Sequence, residues 1–176
     1  MHEVVSSLEI DAPIGKIWDE VIAFDRITKP PEGIFRLGIA YPIQARIQGH
    51  GVGAIRHCIF STGPFVEPIT VWQPPSLLEF DVTSNPPPMQ EYSPYRYIDP
   101  PHLHETFVSR HGRFRLLEKD GKVVLEGTTW YYQRIAPDWY WHLFSDRIIH
   151  QIHLRVLEQI KQHAEQQNRP SRLSNF

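Results

Sequence analysis

The sequence predicts an α+β domain in which a curved antiparallel sheet of about seven strands wraps around one long C-terminal helix. Two hydrophobic patterns predict it. Residues 43–84 and 104–135 alternate with period two between clusters of turn residues, and residues 138–167 run with helical period behind Pro137-Asp138. A third observation is length: 176 residues with no internal repeat and no linker suit a single domain with a sizeable core.

Residues 3–10 alternate in part and read as a strand. Asp11-Ala12-Pro13 ends it, and a proline in the first turn starts helices well. Ile14, Ile17, Trp18, Val21 and Ile22 then fall at helical spacing, which predicts an amphipathic helix over 13–24. Residues 25–42 carry Pro30-Pro31, Gly33, Gly38 and Pro42 and read as irregular, with one short helix near 32–38. Ile43, Ala45 and Ile47 open the meander. His50-Gly51-Val52-Gly53 leads into a strand over 54–60, Ser61-Thr62-Gly63-Pro64 into 65–72, and Gln73-Pro74-Pro75-Ser76 into 77–83.

Residues 85–103 break the rhythm. They hold six of the 16 prolines, with Tyr92, Tyr95 and Tyr97 among them. A loop of that length in a compact domain is often a lid or a binding loop. Strands over 104–118 and 122–135 come next, joined by the hairpin turn Lys119-Asp120-Gly121-Lys122. Arg110–Gly112 is a candidate bulge that would change the strand phase at Phe114. The reading is one domain over 1–168, with a disordered tail over 169–176.

Composition excludes several functions. The formal charge is -2 and the pI near 6.5, which argues against a nucleic-acid partner. A single cysteine, Cys58, excludes a disulfide framework and a Cys-rich zinc site. Neither a secretory signal nor a membrane span is read in the sequence, so the expected compartment is the cytoplasm.

Several local signatures carry a resemblance. They are Ile10-Asp11-Ala12-Pro13-Ile14-Gly15-Lys16-Ile17-Trp18, Gly51-Val52-Gly53-Ala54-Ile55-Arg56, Phe65 through Pro75, and the helix after Pro137. With the order of elements they make the chain similar to the START-like helix-grip superfamily (SRPBCC), which includes polyketide cyclase/dehydrase and lipid-transport proteins. Leu125 through Tyr131, with Pro137, Tyr140-Trp141, Asp146 and His150, resemble a bacterial branch of unknown function. The resemblance implies a helix-grip fold with an internal cavity. It also implies which strand faces line that cavity: Arg56, Cys58 and Phe60; Glu67, Ile69 and Val71; Leu78 and Phe80.

Arg56 and Glu67 flank the 61–64 turn on adjacent strands and could pair across the sheet. In an apolar cavity such a pair could orient a carboxylate or polarise a carbonyl; as a structural ion pair it would only hold the cavity edge. On the last helix His142, Asp146, His150 and His153 form a stripe spaced four, four and three. The stripe could bind a metal, with His102 and His104 as further ligands, but helix docking through hydrogen bonds is favoured over it. The stripe sits beside an apolar face expected from Trp141, Phe144, Ile148, Ile152, Val156 and Ile160. Trp139, Leu143, Leu154 and Leu157 lie opposite, which suggests that a second surface covers the helix. Trp72, Trp130, Tyr131, Tyr132, Trp139, Tyr140 and Trp141 could wall a pocket or belong to the core. Cys58 reads as a buried small hydrophobe.

The expected function is therefore binding of a small, mostly apolar molecule, lipid-like, polyketide-like or aromatic. Arg56 and Glu67 would fix its polar end. Cys58, Phe60, Ile69, Val71, Phe80, Phe114, Ile148 and Ile152 would wall the rest, with the 61–65 turn and the 85–103 loop as lids. A cyclase/dehydrase-type enzyme using the same cavity and a homodimeric interaction module stay open as alternatives. No catalytic residue, cofactor or metal ligand is assigned.

Overall fold

The computed structural model describes residues 1–90 and 107–168; the predicted tail over 169–176, and the 85–103 loop from residue 91 on, lie outside the described residues. The elements in chain order are β1 (His2–Ile10), α1 (Ile14–Ile22), a 3-10 turn (Gly33–Leu37), β2 (Pro42–Gln48), β3 (Ile55–Phe60), β4 (Gly63–Gln73), β5 (Leu77–Asp81), β6 (Phe107–Lys119), β7 (Lys122–Gln133) and α2 (Asp138–Asn168). The strands form one seven-stranded sheet in the order β1-β7-β6-β5-β4-β3-β2, with every pairing antiparallel. β2 to β5 meander outward, and β1 closes the far edge against β7. The α+β architecture read from the sequence is the one observed.

Turn chemistry explains the hairpin between β6 and β7. Asp120 and Gly121 both take positive φ, 52° and 77°. That is the requirement of a type I′ turn, whose twist matches the flanking strands. Beside a register shift in β2 between Pro42 and Gln44, two bulges set which side chains of β4 and β6 face the concave side of the sheet. One shifts the register of β4 between Ile69 and Val71, and the other shifts β6 between Ser109 and His111.

The sheet's concave side packs on α1 and α2. Ile17, Trp18 and Val21 of α1 meet Leu157, Ile160 and Ala164 of α2 in one core with Leu78, Leu116 and Leu125. Polar contacts clasp the far end of α2: Lys161 Nζ donates to Glu9 O at 2.8 Å, and Lys16 Nζ to Gln167 O at 2.7 Å. Arg155 anchors the irregular stretch before β2. Its guanidinium donates to the carbonyls of Lys29 at 2.5 Å, Pro30 at 3.3 Å and Pro42 at 3.3 Å.

The first half of α2 docks differently from the face expected of it. His142, Ser145 and Ile149 are buried, whereas Trp139, Leu143 and Phe144 are 71%, 67% and 52% exposed. The helix is turned by about one residue, because its polar stripe bonds to side chains of the sheet. Tyr131 donates to Asp146 Oδ1 at 2.6 Å and lies 3.1 Å from His142 Nδ1; Ser6 Oγ meets His150 Nδ1 at 2.7 Å.

Gly112 is required by close approach. A methyl group there would stand 2.5 Å from Phe80 Cζ, since the Phe80 ring lies over the bare backbone of its neighbour strand. Gly112→Ala is expected to lose about 2–3 kcal/mol in urea unfolding, by overpacking. Gly15→Ala, on exposed helix surface with no atom within 4 Å of the new methyl, is expected to gain about 0.5–1 kcal/mol.

Candidate functional site

A cavity of about 110 Å³ lies between the concave sheet and α2. β3 contributes Arg56, Cys58 and Phe60, β4 Phe65 and Glu67, β5 Phe80, and β6 Phe107 and Phe114. β7 contributes Gly127 and Thr129, and α2 contributes Ile149, Ile152, His153 and Val156. Gly112 also lines it; the room beside Gly112 is taken by the Phe80 ring, and that beside Gly127 by Phe114 and Leu157. The cavity is somewhat smaller than the roughly 150 Å³ that admits benzene in an engineered apolar cavity.

Arg56 and Glu67 are direct partners across the β3–β4 ladder, and both are buried, at 2% and 6% exposure. Arg56 Nη1 donates to Glu67 Oε2, and Arg56 Nε donates to Ile22 O at 3.3 Å, at the end of α1. The guanidinium sits among three rings, 5.9 Å from Phe24 and 5.5 Å from each of Phe80 and Phe114. Burial pushes the Glu67 carboxyl above its usual range, against the pull of Arg56. For Arg56 burial is the largest influence and works against the charge, but Glu67 and Cys58 together outweigh it and the guanidinium stays protonated. The Cys58 thiol is pushed up to about 12, first by burial and then by the Glu67 charge. It is therefore a small apolar wall group, not a nucleophile at neutral pH.

A second polar group touches the cavity on its α2 side. His153 Nε2 meets Thr129 Oγ1 at 2.8 Å, and His153 Nδ1 meets Ser6 Oγ at 3.0 Å. Burial, and then the nearby His150, lower its pKa to about 4, so it is neutral at pH 7. Among the described residues no three His, Cys, Asp or Glu side chains come together to hold a metal ion. His102 and His104 lie outside the described residues.

Seven of the ten residues singled out from the sequence line the cavity: Arg56, Cys58, Phe60, Glu67, Phe80, Phe114 and Ile152. Three do not. Ile69 faces inward opposite Phe80 but is closed into the core. Val71 lies beyond the β4 bulge and pairs with Glu79, on the outer face of the sheet, while Trp72 turns inward opposite Leu78. Ile148 yields its place to Ile149 because the polar stripe rotates α2. Phe65, Phe107, Thr129, Ile149, His153 and, behind His153, Ser6 are not marked as wall residues by the sequence pattern. Alternation along Leu125, Gly127, Thr129 and Tyr131 was the available signal for Thr129. Of the two expected lids, the 61–65 turn sends Phe65 to the wall, its ring 4.7 Å from that of Phe60. The described start of the other loop is pinned: Thr62 Oγ1 donates to Pro87 O at 2.7 Å, and Ala40 N to Pro88 O at 3.0 Å.

Solved structures share this architecture over almost the whole chain. The Zhui aromatase/cyclase from Streptomyces sp. R1128 aligns with TM-score 0.60 and 12% identity, covering 97% of this chain and 98% of its own. The chain has the helix-grip fold. A protein structure from Nitrosospira multiformis aligns with TM-score 0.59 and 14% identity over 96% of this chain and 100% of that one. The di-domain aromatase/cyclase StfQ, from the steffimycin biosynthetic pathway, gives TM-score 0.63 at 9% identity, covering 94% of this chain and 51% of that one. No family model and no curated protein matches the sequence. No described helix is long and apolar enough to cross a membrane.

The buried groups make stability sensitive to substitution and to pH. Arg56→Met alone is expected to cost about 3–5 kcal/mol, because it strands the Glu67 carboxylate. The double change Arg56→Met with Glu67→Leu is expected to recover most of that loss in urea unfolding. For His153, the folded pKa near 4 lies below the unfolded value of 6.5, so the unfolded chain binds the proton first. Stability is then full above pH 6.5 and falls as the pH drops toward 4, by on the order of 2–3 kcal/mol. His153→Gln is expected to flatten that part of the stability–pH curve.

Proposed function

We propose that this helix-grip domain binds a small, mostly apolar molecule carrying one polar group in the cavity between sheet and α2. The observation that carries this reading is a cavity walled by Phe60, Phe65, Phe80, Phe114 and Ile152 with a buried ion pair, Arg56–Glu67, in the same wall. Apolar pockets with a few fixed polar groups are the usual form of small-molecule sites. The Arg56–Glu67 pair would orient a carboxylate or carbonyl, in surroundings that strengthen electrostatic contacts. Occupants larger than a single ring would need the wall to open.

A cyclase/dehydrase-type reaction in the same cavity is the second reading. The aromatase/cyclases that share the fold favour it, as does the polar His153 side of the cavity. Here Glu67 would move a proton rather than only orient the ligand. Binding should survive Glu67→Gln under the first reading, whereas turnover of a substrate should be lost under the second.

Cyclopentane and cyclopentanecarboxylate are suitable probes. At ten times its Kd either should raise the unfolding free energy by about 1.4 kcal/mol, read as a thermal shift. Ile152→Trp, which fills the space, should abolish both shifts, and Arg56→Met should remove the advantage of the carboxylate. Absence of a shift with both probes in the folded wild-type protein would overturn the binding reading.

A further inference from the structure

The hydrogen bonds of the α2 stripe divide into two groups. Tyr131, His142 and Asp146 hold the start of the helix to β7, and none of the three lines the cavity. The second group runs from the cavity wall outward. Thr129 and His153 line the cavity, Ser6 is buried at 3% exposure, and His150 is exposed. The links are Thr129 Oγ1 to His153 Nε2 at 2.8 Å, His153 Nδ1 to Ser6 Oγ at 3.0 Å, and Ser6 Oγ to His150 Nδ1 at 2.7 Å. Docking would need one bond per histidine. Here one serine hydroxyl serves both imidazoles and joins them into an unbroken path. It faces inward from β1 opposite Gly127, which carries no side chain.

With the Ser6 hydrogen used inside the path, donor counting leaves two arrangements. A neutral imidazole donates from one ring nitrogen and accepts at the other, and a hydroxyl donates once. In the outward arrangement Thr129 donates to His153 Nε2, His153 Nδ1–H donates to Ser6, and Ser6 donates to His150 Nδ1. In the inward arrangement all three bonds reverse, and Thr129 has its hydrogen free for the cavity. Burial keeps His153 neutral at pH 7, which both arrangements need.

We infer that Thr129, His153, Ser6 and His150 form a proton relay between a group bound in the cavity and solvent at His150. The ligand class is an apolar molecule with an exchangeable proton, such as an enol, a phenol or the conjugate carbonyl. The inference rests on the proposed binding of a ligand in the cavity. Passing one proton outward moves five protons in turn. The ligand's proton goes to Thr129 Oγ1, the Thr129 proton to His153 Nε2, the His153 Nδ1 proton to Ser6, and the Ser6 proton to His150 Nδ1. His150 Nε2 releases its proton to water. The ligand becomes the anion, and the relay is left in the inward arrangement with both histidine tautomers inverted.

Tautomer inversion is directly readable from the ring-nitrogen NMR signals of ¹⁵N-histidine-labelled full-length protein at pH 7. In the ligand-free protein His150 and His153 should hold opposite tautomers. Pyrrole, which only donates, should select the outward arrangement, with His153 protonated on Nδ1. Cyclopentanone, which only accepts, should select the inward one, exchanging the protonated and bare nitrogen signals of both histidines. In Ser6→Ala, His153 should still respond and His150 should not; Thr129→Val should silence both. The Ile149 and Ile152 methyl signals report occupancy independently. If neither probe moves those methyls, the cavity reading fails and the relay with it. If the methyls move while the two tautomers match, or fail to invert together, the relay is overturned and the cavity reading stands.

Discussion

Arg56 and Glu67 face each other across β3 and β4 with almost no water contact, and much of the molecule is arranged around that pair. Two buried charges carry a desolvation cost of several kcal/mol each, repaid only by close pairing and further hydrogen bonds. The ladder supplies the pairing and the end of α1 supplies the Ile22 carbonyl. Phe24, Phe80 and Phe114 surround the guanidinium, so the pair ties β3, β4, β5, β6 and the segment after α1 to one point. A slip of one residue in the β3–β4 register would send one charge to the outer face and leave the other stranded. The pair thus specifies register more surely than it adds stability, and it leaves a polar wall in an apolar cavity.

The other organising contact is the polar docking of α2. A helix packed by aliphatic ridges would have buried Phe144 and Ile148. Hydroxyls on β1 and β7 attract the histidine–aspartate stripe instead, because buried imidazole and carboxylate groups need partners. This rotates the first turns of α2, exposes Trp139, Leu143 and Phe144, and brings Ile149 and His153 to the cavity. The stripe therefore makes two sets of contacts, one at Tyr131 and one at Thr129 beside the cavity.

Much of the fold was legible in the residues. Period-two runs, the Asp120-Gly121 turn and the long run after Pro137 each state a local preference that the structure keeps. Of the residues singled out for the site, those on regular stretches of strand, Arg56, Cys58, Phe60, Glu67 and Phe80, stand on the cavity wall. Those next to irregularities do not all do so. Val71 is turned outward by one extra residue in β4, and no composition signal marks Thr70 as a bulge. Phe114 lies beyond the corresponding bulge of β6 and still reaches the wall, since the phase from Gly112 onward is regular. Ser6 carries no distinction in the sequence; its part depends on the two imidazoles that meet it from residues 150 and 153.

By itself the sequence determined the order of elements, the turns, the α+β class and the placing of two opposite charges on either side of a tight turn. Those come from local rules, side-chain periodicity and backbone dihedral preferences, which act over a few residues. Only the tertiary structure decided which face of α2 meets the sheet, where the β4 phase breaks, and that a serine of the first strand joins two histidines of the last helix. Those outcomes compare contacts between different elements, up to 144 and 147 positions apart for Ser6 with His150 and His153. They turn on whether a buried polar group finds a partner, a free-energy difference that no local pattern carries.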